Sequence, residues 1–193
     1  MLIRFAAILG LCAGLVLSGC TLDAGFGSAR SAPVLDGALQ VGISPGYCID
    51  NKTSRAGKDS AVILMGRCSD AVLAKPALIT VSIGKSGSAG VMTADGAALA
   101  KFFTSAQGRA ALSRSGRAGD VQVISALSSG DAFLLHLKDR SVGEYWRAVV
   151  GINGRLVTLS ATGTETVPLA PADGRALIDA TLKALRAANT GTR

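Results

Sequence analysis

The amino-acid sequence predicts an α+β fold, in which helices pack on a mainly antiparallel sheet of about six to seven strands. Three observations predict this class. Short runs of alternating apolar and polar residues follow one another between residues 121 and 161, as in strands that pair with their sequence neighbours. Asn153-Gly154 separates the last two runs, and this dipeptide tolerates the positive φ that a type I′ hairpin turn requires. Residues 171–188 place apolar side chains at helical spacing instead.

The element order begins with three strands, of which residues 61–65 and 78–83 form the clearest. A helix follows, with Thr93 as its N-cap and Asp95 in its first turn. Its apolar face comes from three residues at i, i+3 and i+4, which are Leu99, Phe102 and Phe103. A second helical segment, 106–112, extends to a glycine-containing break.

Four strands come next, at 121–127, 132–137, 145–152 and beyond the Asn153-Gly154 turn. Pairing across that turn defines two faces. The apolar face carries Trp146, Ala148, Val150, Ile152, Val157, Leu159 and Ala161. The other carries Tyr145, Arg147, Thr158 and Ser160, and we expect it to be wetter. The closing helix, 171–188, has an apolar stripe of Leu177, Ile178, Leu182 and Leu185.

Length and composition indicate one globular domain. The chain has 193 residues and a formal net charge of +7, and we place the domain at 37–189, followed by a tail at 190–193. About 150 residues bury a self-sufficient core, so no metal or dense disulfide framework is required for stability. We expect neither a metal nor a cofactor. No segment after the N-terminal one approaches the length of a membrane span.

The N-terminus has the pattern of an export signal. Arg4 precedes an apolar run that Leu17-Ser18-Gly19-Cys20 closes. This segment resembles the lipobox of bacterial lipoproteins. The resemblance implies that residues 1–19 are a signal peptide, that cleavage follows Gly19, and that Cys20 carries acyl chains such as palmitate. Residues 21–36 are rich in Gly, Ala and Ser and are expected to form a flexible tether.

The anchor predicts the location of the protein. In bacterial lipoproteins an aspartate after the lipidated cysteine favours retention in the inner membrane, and here that position is Thr21. We therefore expect the periplasmic face of the outer membrane, and no nucleic-acid partner. An ordinary signal peptide or a transmembrane helix that contains Cys20 is the alternative, although the apolar run is short for a span.

Two of the four cysteines remain for other chemistry, because Cys12 leaves with the signal peptide and Cys20 takes lipid. In an oxidising periplasm Cys48 and Cys68 are expected to pair as a disulfide. A metal or redox site is the alternative. It lacks support from a CxxC motif, and the only histidine is remote in sequence.

The element order, Trp146, the Asn153-Gly154 hairpin and a closing helix that ends at 186–189 together resemble the PsbP-like α/β/α sandwich of several small envelope lipoproteins. Residues 46–50 and 66–68 are similar to segments of proteobacterial lipoproteins of unknown function. Neither resemblance implies a catalytic residue.

Several residues suggest catalysis without forming a motif. Ser82 and Lys85 have the Ser-x-x-Lys spacing of penicillin-recognising enzymes, but Ser82 lies in a predicted strand instead of opening a helix. Gly84-Lys85-Ser86 resembles the end of a phosphate-binding loop, whose first glycine is replaced by Ile79. His136, the only histidine, is expected on the helix-covered or solvent face of its strand. We assign no catalytic residue. A small periplasmic hydrolase is the alternative function, and it requires Ser82 or Ser86, Lys85, His136 and a carboxylate in one cleft.

Positive charge is concentrated between Asp95 and Asp120, where four basic residues occur without an acidic one: Lys101, Arg109, Arg114 and Arg117. We interpret them as a surface for an anionic envelope component, which could be lipid headgroups, peptidoglycan carboxylates or an acidic protein. A solvated surface without a partner is the alternative. The sequence thus predicts a lipid-anchored envelope protein that acts as a non-enzymatic binding or structural module.

Overall fold

The computed structural model describes residues 31–191 and has the predicted α+β fold, with helices on both faces of an antiparallel sheet. The strands are β1 Ser31–Val34, β2 Leu39–Gly42, β3 Tyr47–Ile49, β4 Arg55–Ala56, β5 Ala61–Arg67, β6 Leu78–Ser86, β7 Val121–Ser129, β8 Ala132–Asp139, β9 Gly143–Ile152 and β10 Arg155–Thr162. The α-helices are α1 Gly96–Thr104, α2 Ala106–Leu112 and α3 Pro171–Asn189. Short 3-10 helices cover Ser88–Thr93 and Ala118–Asp120. Six strands therefore precede α1, where the residue pattern predicts three.

The main sheet has eight strands in the order β3-β5-β6-β10-β9-β8-β7, and β4 pairs with β5 beside β3. The predicted hairpin of β9 and β10 is confirmed in register, since Trp146 faces Ala161 and Ile152 faces Arg155. Its turn residues have the expected positive φ, 49° at Asn153 and 72° at Gly154. The hairpin of β9 and β10 thus follows from alternation and turn chemistry.

Ordered structure begins before the predicted domain boundary at Gly37. β1 lies within the range 21–36, predicted as tether, and pairs with β2 from Ser31 opposite Gly42 to Val34 opposite Leu39. Four residues are too short a run to show alternation, and the burial of β2 supplies the reason for the pairing. Leu39 and Val41 of β2 are fully buried, and β1 satisfies the exposed edge of that strand. The signal peptide, Cys20 and the first part of the tether lie outside the described residues.

One face of the sheet, the α3 face, is covered by α3 and by the hairpin of β1 and β2. Its core includes the predicted apolar residues of β9 and β10 together with Ile178, Leu182 and Leu185 of α3. Gly42 makes close packing of β2 on α3 feasible, since a Cβ there would lie 2.2 Å from the carbonyl carbon of Ala184. The stripe predicted for α3 is therefore the buried one, with Leu177 packed at its border.

The opposite face, the α1 face, has a second core that the sequence pattern does not reveal. Tyr145 was predicted on the wetter face, but it is buried with Phe133 and Val149 beneath α1 and α2. Arg147, Thr158 and Ser160 do stay partly exposed. The prediction was wrong for Tyr145 because hairpin alternation assigns faces, but does not show where helices cover them.

The α1–α2 segment differs from its prediction at its start. Asp95 is the N-cap, because its side chain accepts a 2.7 Å hydrogen bond from the Ala98 N–H, and Thr93 ends the preceding 3-10 helix. Leu99 is buried and Phe103 stacks on Phe133 at 5.8 Å, but Phe102 stays 37% exposed. Ser105 is both the C-cap of α1 and the N-cap of α2. Its side chain accepts a hydrogen bond from the Gly108 N–H of α2.

The strand register brings several connections to one end of the sheet. We call this end the disulfide end, because Cys68 begins one of these connections. Leu78 pairs with Thr162, Ala161 with Trp146, and Asp139 with both Gly143 and Val121. Connections 68–77 and 163–170, turn 140–142 and the 3-10 helix Ala118–Asp120 therefore lie at this end. At the opposite end is the Asn153-Gly154 turn, where Gly154 accepts a hydrogen bond from Ala89 of the 3-10 helix Ser88–Thr93.

Candidate functional site

The four predicted basic residues do not have equivalent positions. Arg109 serves the fold, because its guanidinium donates to the carbonyl of Ala118 at 3.3 Å and to the carbonyl of Thr104. It thereby ties the junction of α1 and α2 to the 3-10 helix Ala118–Asp120. Lys101 lies exposed on α1, away from the cavity described next. Arg109 and Lys101 are therefore poor candidates for contact with a partner in that cavity.

Arg117 is joined by an arginine that the sequence pattern did not indicate. Arg117 and Arg140 both bind the Asp120 carboxylate, at 2.8 and 3.4 Å. Arg140 follows β8, far from the other basic residues in sequence, and antiparallel pairing of Asp139 with Val121 brings it beside Asp120. The signal that could have found it is the predicted pairing of neighbouring strands, which places the β8–β9 turn next to the start of β7.

Three arginines line one cavity of about 390 Å³ at the disulfide end. We call Arg114, Arg117 and Arg140 the arginine surface. The wall is completed by Ser113, Ser115, Asp120, Asp139 and Ser141. Guanidinium groups are donors that proteins use to bind carboxylates and phosphates. The hydroxyls of Ser115 and Ser141 instead donate to the two aspartates of the cavity. The cavity is thus chemically suited to an anionic group.

The two carboxylates of the cavity are already engaged. Asp139 is 3% exposed and accepts hydrogen bonds from both the backbone N–H and the hydroxyl of Ser141, at 2.7 and 2.6 Å. The Ser115 hydroxyl donates to Asp120 at 2.5 Å, and this bond, followed by the neighbouring Arg117, lowers the pKa of Asp120 below its usual value. Both groups therefore act as acceptors that hold this part of the chain in place.

The guanidinium groups remain accessible. The side chains of Arg117 and Arg140 are 72% and 78% exposed, so their ion pairs with Asp120 contribute little to stability. An anionic ligand can therefore replace Asp120 as their partner. Arg114 is in none of the ion pairs between described residues. The arrangement can therefore offer up to three positive groups to one anionic partner.

The predicted disulfide is present. Cys48 and Cys68 are bonded, with a Cα–Cα distance of 5.2 Å. The bond links β3 to the chain just after β5, and the Cys68 N–H also donates to the carbonyl of Gly46 at 3.0 Å. The base of connection 68–77 is thus fixed both covalently and by the backbone.

The residues required by the hydrolase alternative are not brought together. Ser82 faces Thr158 on the α1 face, whereas His136 faces Trp146 on the α3 face. Their strands are three spacings apart, about 14 Å. Ser86 and Lys85 lie at the far end of β6, opposite Arg155. In the part of the chain that the structure describes, no cleft contains these four residues.

His136 instead has surroundings that the sequence did not predict. Its ring stacks on Trp146 with centroids 4.5 Å apart, and Arg175 of α3 lies 5.1 Å from the Trp146 ring centroid. Nε2 approaches Glu144 Oε1 at 2.8 Å, a distance suited to an ion pair, but the direction does not meet hydrogen-bond geometry. Ser125 faces His136 across β7 and β8, and among the described residues no hydrogen bond joins the two.

This second group, which we call the His136 stack, resembles a packed sheet surface more than a binding site. Trp146 is 8% exposed, and its indole N–H has no hydrogen-bond partner among residues 31–191. The ring planes lie within 2° of parallel, so there is no space between them for a ligand. The arginine surface is therefore the better candidate site.

Within residues 31–191 no group of three or more His, Cys, Asp or Glu side chains is placed to hold a metal ion. No helix in the described range is long and apolar enough to cross a membrane. Neither a protein-family model nor a curated protein matches this chain.

Proposed function

We propose that this chain is a lipid-anchored protein of the bacterial envelope, whose domain acts as a non-enzymatic binding or accessory module. In this proposal the arginine surface meets an anionic envelope component. The observation that carries it is the cavity in which three arginines and three serines converge at one end of the sheet. The lipobox pattern at Leu17–Cys20 supports the anchor, and the Cys48–Cys68 disulfide is of the kind that persists in an oxidising compartment.

The periplasmic face of the outer membrane is the proposed location, because Thr21 stands where an aspartate would favour the inner membrane. Metabolic labelling with an alkyne fatty acid tests the anchor. Wild type is expected to take the label and to fractionate with the outer membrane, and Cys20→Ala to lose the label. Label on the Cys20→Ala chain, or an unlabelled wild type, would refute the anchor.

Binding to purified polyanions tests the arginine surface. Full-length protein is incubated with peptidoglycan sacculi, phosphatidylglycerol vesicles and poly-L-glutamate, which represent the three candidate chemistries. The test variant is Arg114→Gln/Arg117→Gln/Arg140→Gln, which leaves the structural Arg109 in place. The matched control replaces three exposed lysines elsewhere on the domain, Lys52, Lys58 and Lys183, by Gln.

We expect at least one polyanion to bind wild type in a salt-sensitive manner, because exposed charges are screened within about 10 Å at 0.1 M salt. The arginine variant is expected to lose about tenfold in affinity, while the lysine control changes much less. Equal losses of affinity in the two variants would show that binding depends on net charge and not on the arginine surface. Unchanged binding in the arginine variant would refute the proposed site.

A further inference from the structure

The most exposed apolar side chains in the described chain are two neighbours in connection 68–77. Leu73 is 95% exposed and Val72 is 78% exposed, whereas the other exposed large apolar residues in the described range reach at most 46%. A single exposed aliphatic residue is ordinary, but two adjacent ones that project from the same short loop form a small apolar tip.

The loop that presents this tip is firmly held. Internal hydrogen bonds join Ala71 to Cys68 at 3.2 Å and Ala74 to Ala71 at 3.0 Å. The Tyr47 hydroxyl donates to the Lys75 carbonyl at 2.9 Å. Gly46 packs so closely that a Cβ there would come within 2.8 Å of the Ala74 Cβ. Together with the disulfide at Cys68, these contacts hold the Val72-Leu73 pair away from the core.

Charged groups of both signs lie near the tip. Arg67 and Lys75 flank it in sequence and are exposed, but Asp70 of the same connection is exposed too, and Lys75 pairs with Asp173 at 3.5 Å. The arginine surface lies at the disulfide end too, about three strand spacings away at Arg140 and four to five at the start of β7, or about 14–24 Å. Apolar side chains beside basic ones are the combination that binds an anionic bilayer interface.

The position of β1 makes a bilayer reachable from the anchor. Ser31 lies eleven positions after Cys20, and a chain of that length spans at most about 36–40 Å. Ser31 pairs with Gly42, which is four positions before Gly46, and Gly46 contacts the loop. A domain held at Cys20 can therefore bring the tip to the membrane surface.

We propose that the disulfide end docks on the bilayer that holds the lipid at Cys20, with Val72 and Leu73 entering the interface. This inference rests on the proposed lipid anchor and names the phospholipid surface as the anionic component. Two aliphatic side chains and a few arginines would bind a bilayer weakly by themselves. Because the anchor makes docking an intramolecular step, weak contacts are sufficient to orient the domain.

Fluorescence quenching in vesicles tests the orientation. Full-length, acylated Leu73→Trp protein is reconstituted into vesicles of phosphatidylethanolamine and phosphatidylglycerol, with or without acyl chains brominated near the headgroup. The matched control is Val91→Trp, an exposed valine at the opposite end of the sheet. The emission of Trp146, the only native tryptophan, is subtracted by using wild-type protein.

Brominated lipid is expected to reduce the added emission of Leu73→Trp by roughly twofold, since interfacial side chains lie about 5–10 Å into the boundary region. The Val91→Trp emission should stay unchanged. Equal quenching of both variants, or quenching of neither, would overturn the proposed docking. Mass spectrometry and co-sedimentation with the vesicles show separately whether the protein is acylated, so failure of the anchor is distinguishable from failure of the docking.

Discussion

Asp120 shows how single residues organise the arginine surface. Its carboxylate receives the Ser115 hydroxyl and two guanidinium groups, from Arg117 and Arg140, and so links the stretch before β7 to the β8–β9 turn. Without a carboxylate here, three arginines would repel one another across the cavity. Asp120 thus reduces the repulsion between the arginines, while their exposed guanidinium groups can still bind a ligand.

The acid dependence of stability follows from this carboxylate. The pKa of Asp120 is lowered in the folded protein, mainly by the Ser115 hydrogen bond, so its contribution is present above the ordinary value of about 3.9. That contribution is lost as the pH falls through the lowered folded value. We expect the free energy of unfolding of wild type to fall more steeply between about pH 5 and pH 3 than that of Asp120→Asn. Urea unfolding at each pH measures the two slopes.

The control for this prediction is Asp70→Asn, which changes an exposed carboxylate outside the ion pairs of the described chain. We expect its profile to stay parallel to that of wild type. If Asp120→Asn also runs parallel to wild type, the interactions of Asp120 do not stabilise the folded state.

Among the elements, the hairpin of β9 and β10 is the best predicted because its information is local. Alternation fixes its faces, and Asn153-Gly154 fixes its turn and therefore its register. β1 could not be predicted in this way, since its four residues are ordered by the buried partner β2. The burial of Tyr145 likewise depends on where α1 and α2 pack, which is a tertiary property.

The candidate site likewise contains residues that the sequence predicted and residues that it did not. The cluster Arg114 to Arg117 and the pairing of Cys48 with Cys68 could be predicted from the sequence. Arg140 was missed, because its place beside Asp120 follows only when the predicted strand pairing is traced to the end of β8. Glu144 reaches the His136 stack from the next strand, whereas Arg175 reaches it because α3 packs on this face of the sheet.

Gly42 lies where β2 contacts α3, and we expect a methyl group at this position to destabilise the fold. Gly42→Ala would place a Cβ 2.2 Å from the carbonyl carbon and oxygen of Ala184, and backbone atoms of a helix cannot move independently. We expect a loss of about 1–3 kcal/mol or more in the free energy of unfolding, measured with urea. Gly66→Ala on β5 is the matched control, because nothing lies within 4 Å of its added Cβ. Equal stability of the two variants would mean that the hairpin of β1 and β2 shifts freely on α3.

We expect the Cys48–Cys68 disulfide to contribute measurably to the stability of the fold. The bond closes a loop of 20 residues, which corresponds to about 3 kcal/mol in the chain-entropy account. Cys48→Ala/Cys68→Ala is expected to lose about this amount, and the single Cys48→Ala variant at least as much. Alkylation of nonreduced, mature wild type should find no free thiol at either position. Two reactive thiols, or an unchanged stability of the double variant, would contradict this role.

On the scale of the whole molecule, one sheet supports two cores. β8 and β9 contribute to both, since Leu134, Ala148 and Val150 face α3 while Phe133, Leu135 and Val149 face α1 and α2. Neither core can lose these strands without exposing the other. The tip at Leu73 and the arginine surface therefore belong to one cooperative body, and the proposed docking at the disulfide end would orient all of it.

Leu99→Ala tests this cooperativity from the face opposite the only tryptophan. Leu99 is 5% exposed in the α1-face core, whereas Trp146 belongs to the α3-face core. A large-to-small change at such a site costs about 2–5 kcal/mol. If the two cores unfold together, the denaturation midpoint followed by Trp146 fluorescence shifts by as much as that followed by far-ultraviolet circular dichroism. Leu73→Ala, which removes a 95% exposed leucine, should leave both midpoints in place. A Trp146 transition that does not respond to Leu99→Ala would instead show that α1 and α2 detach from the sheet independently.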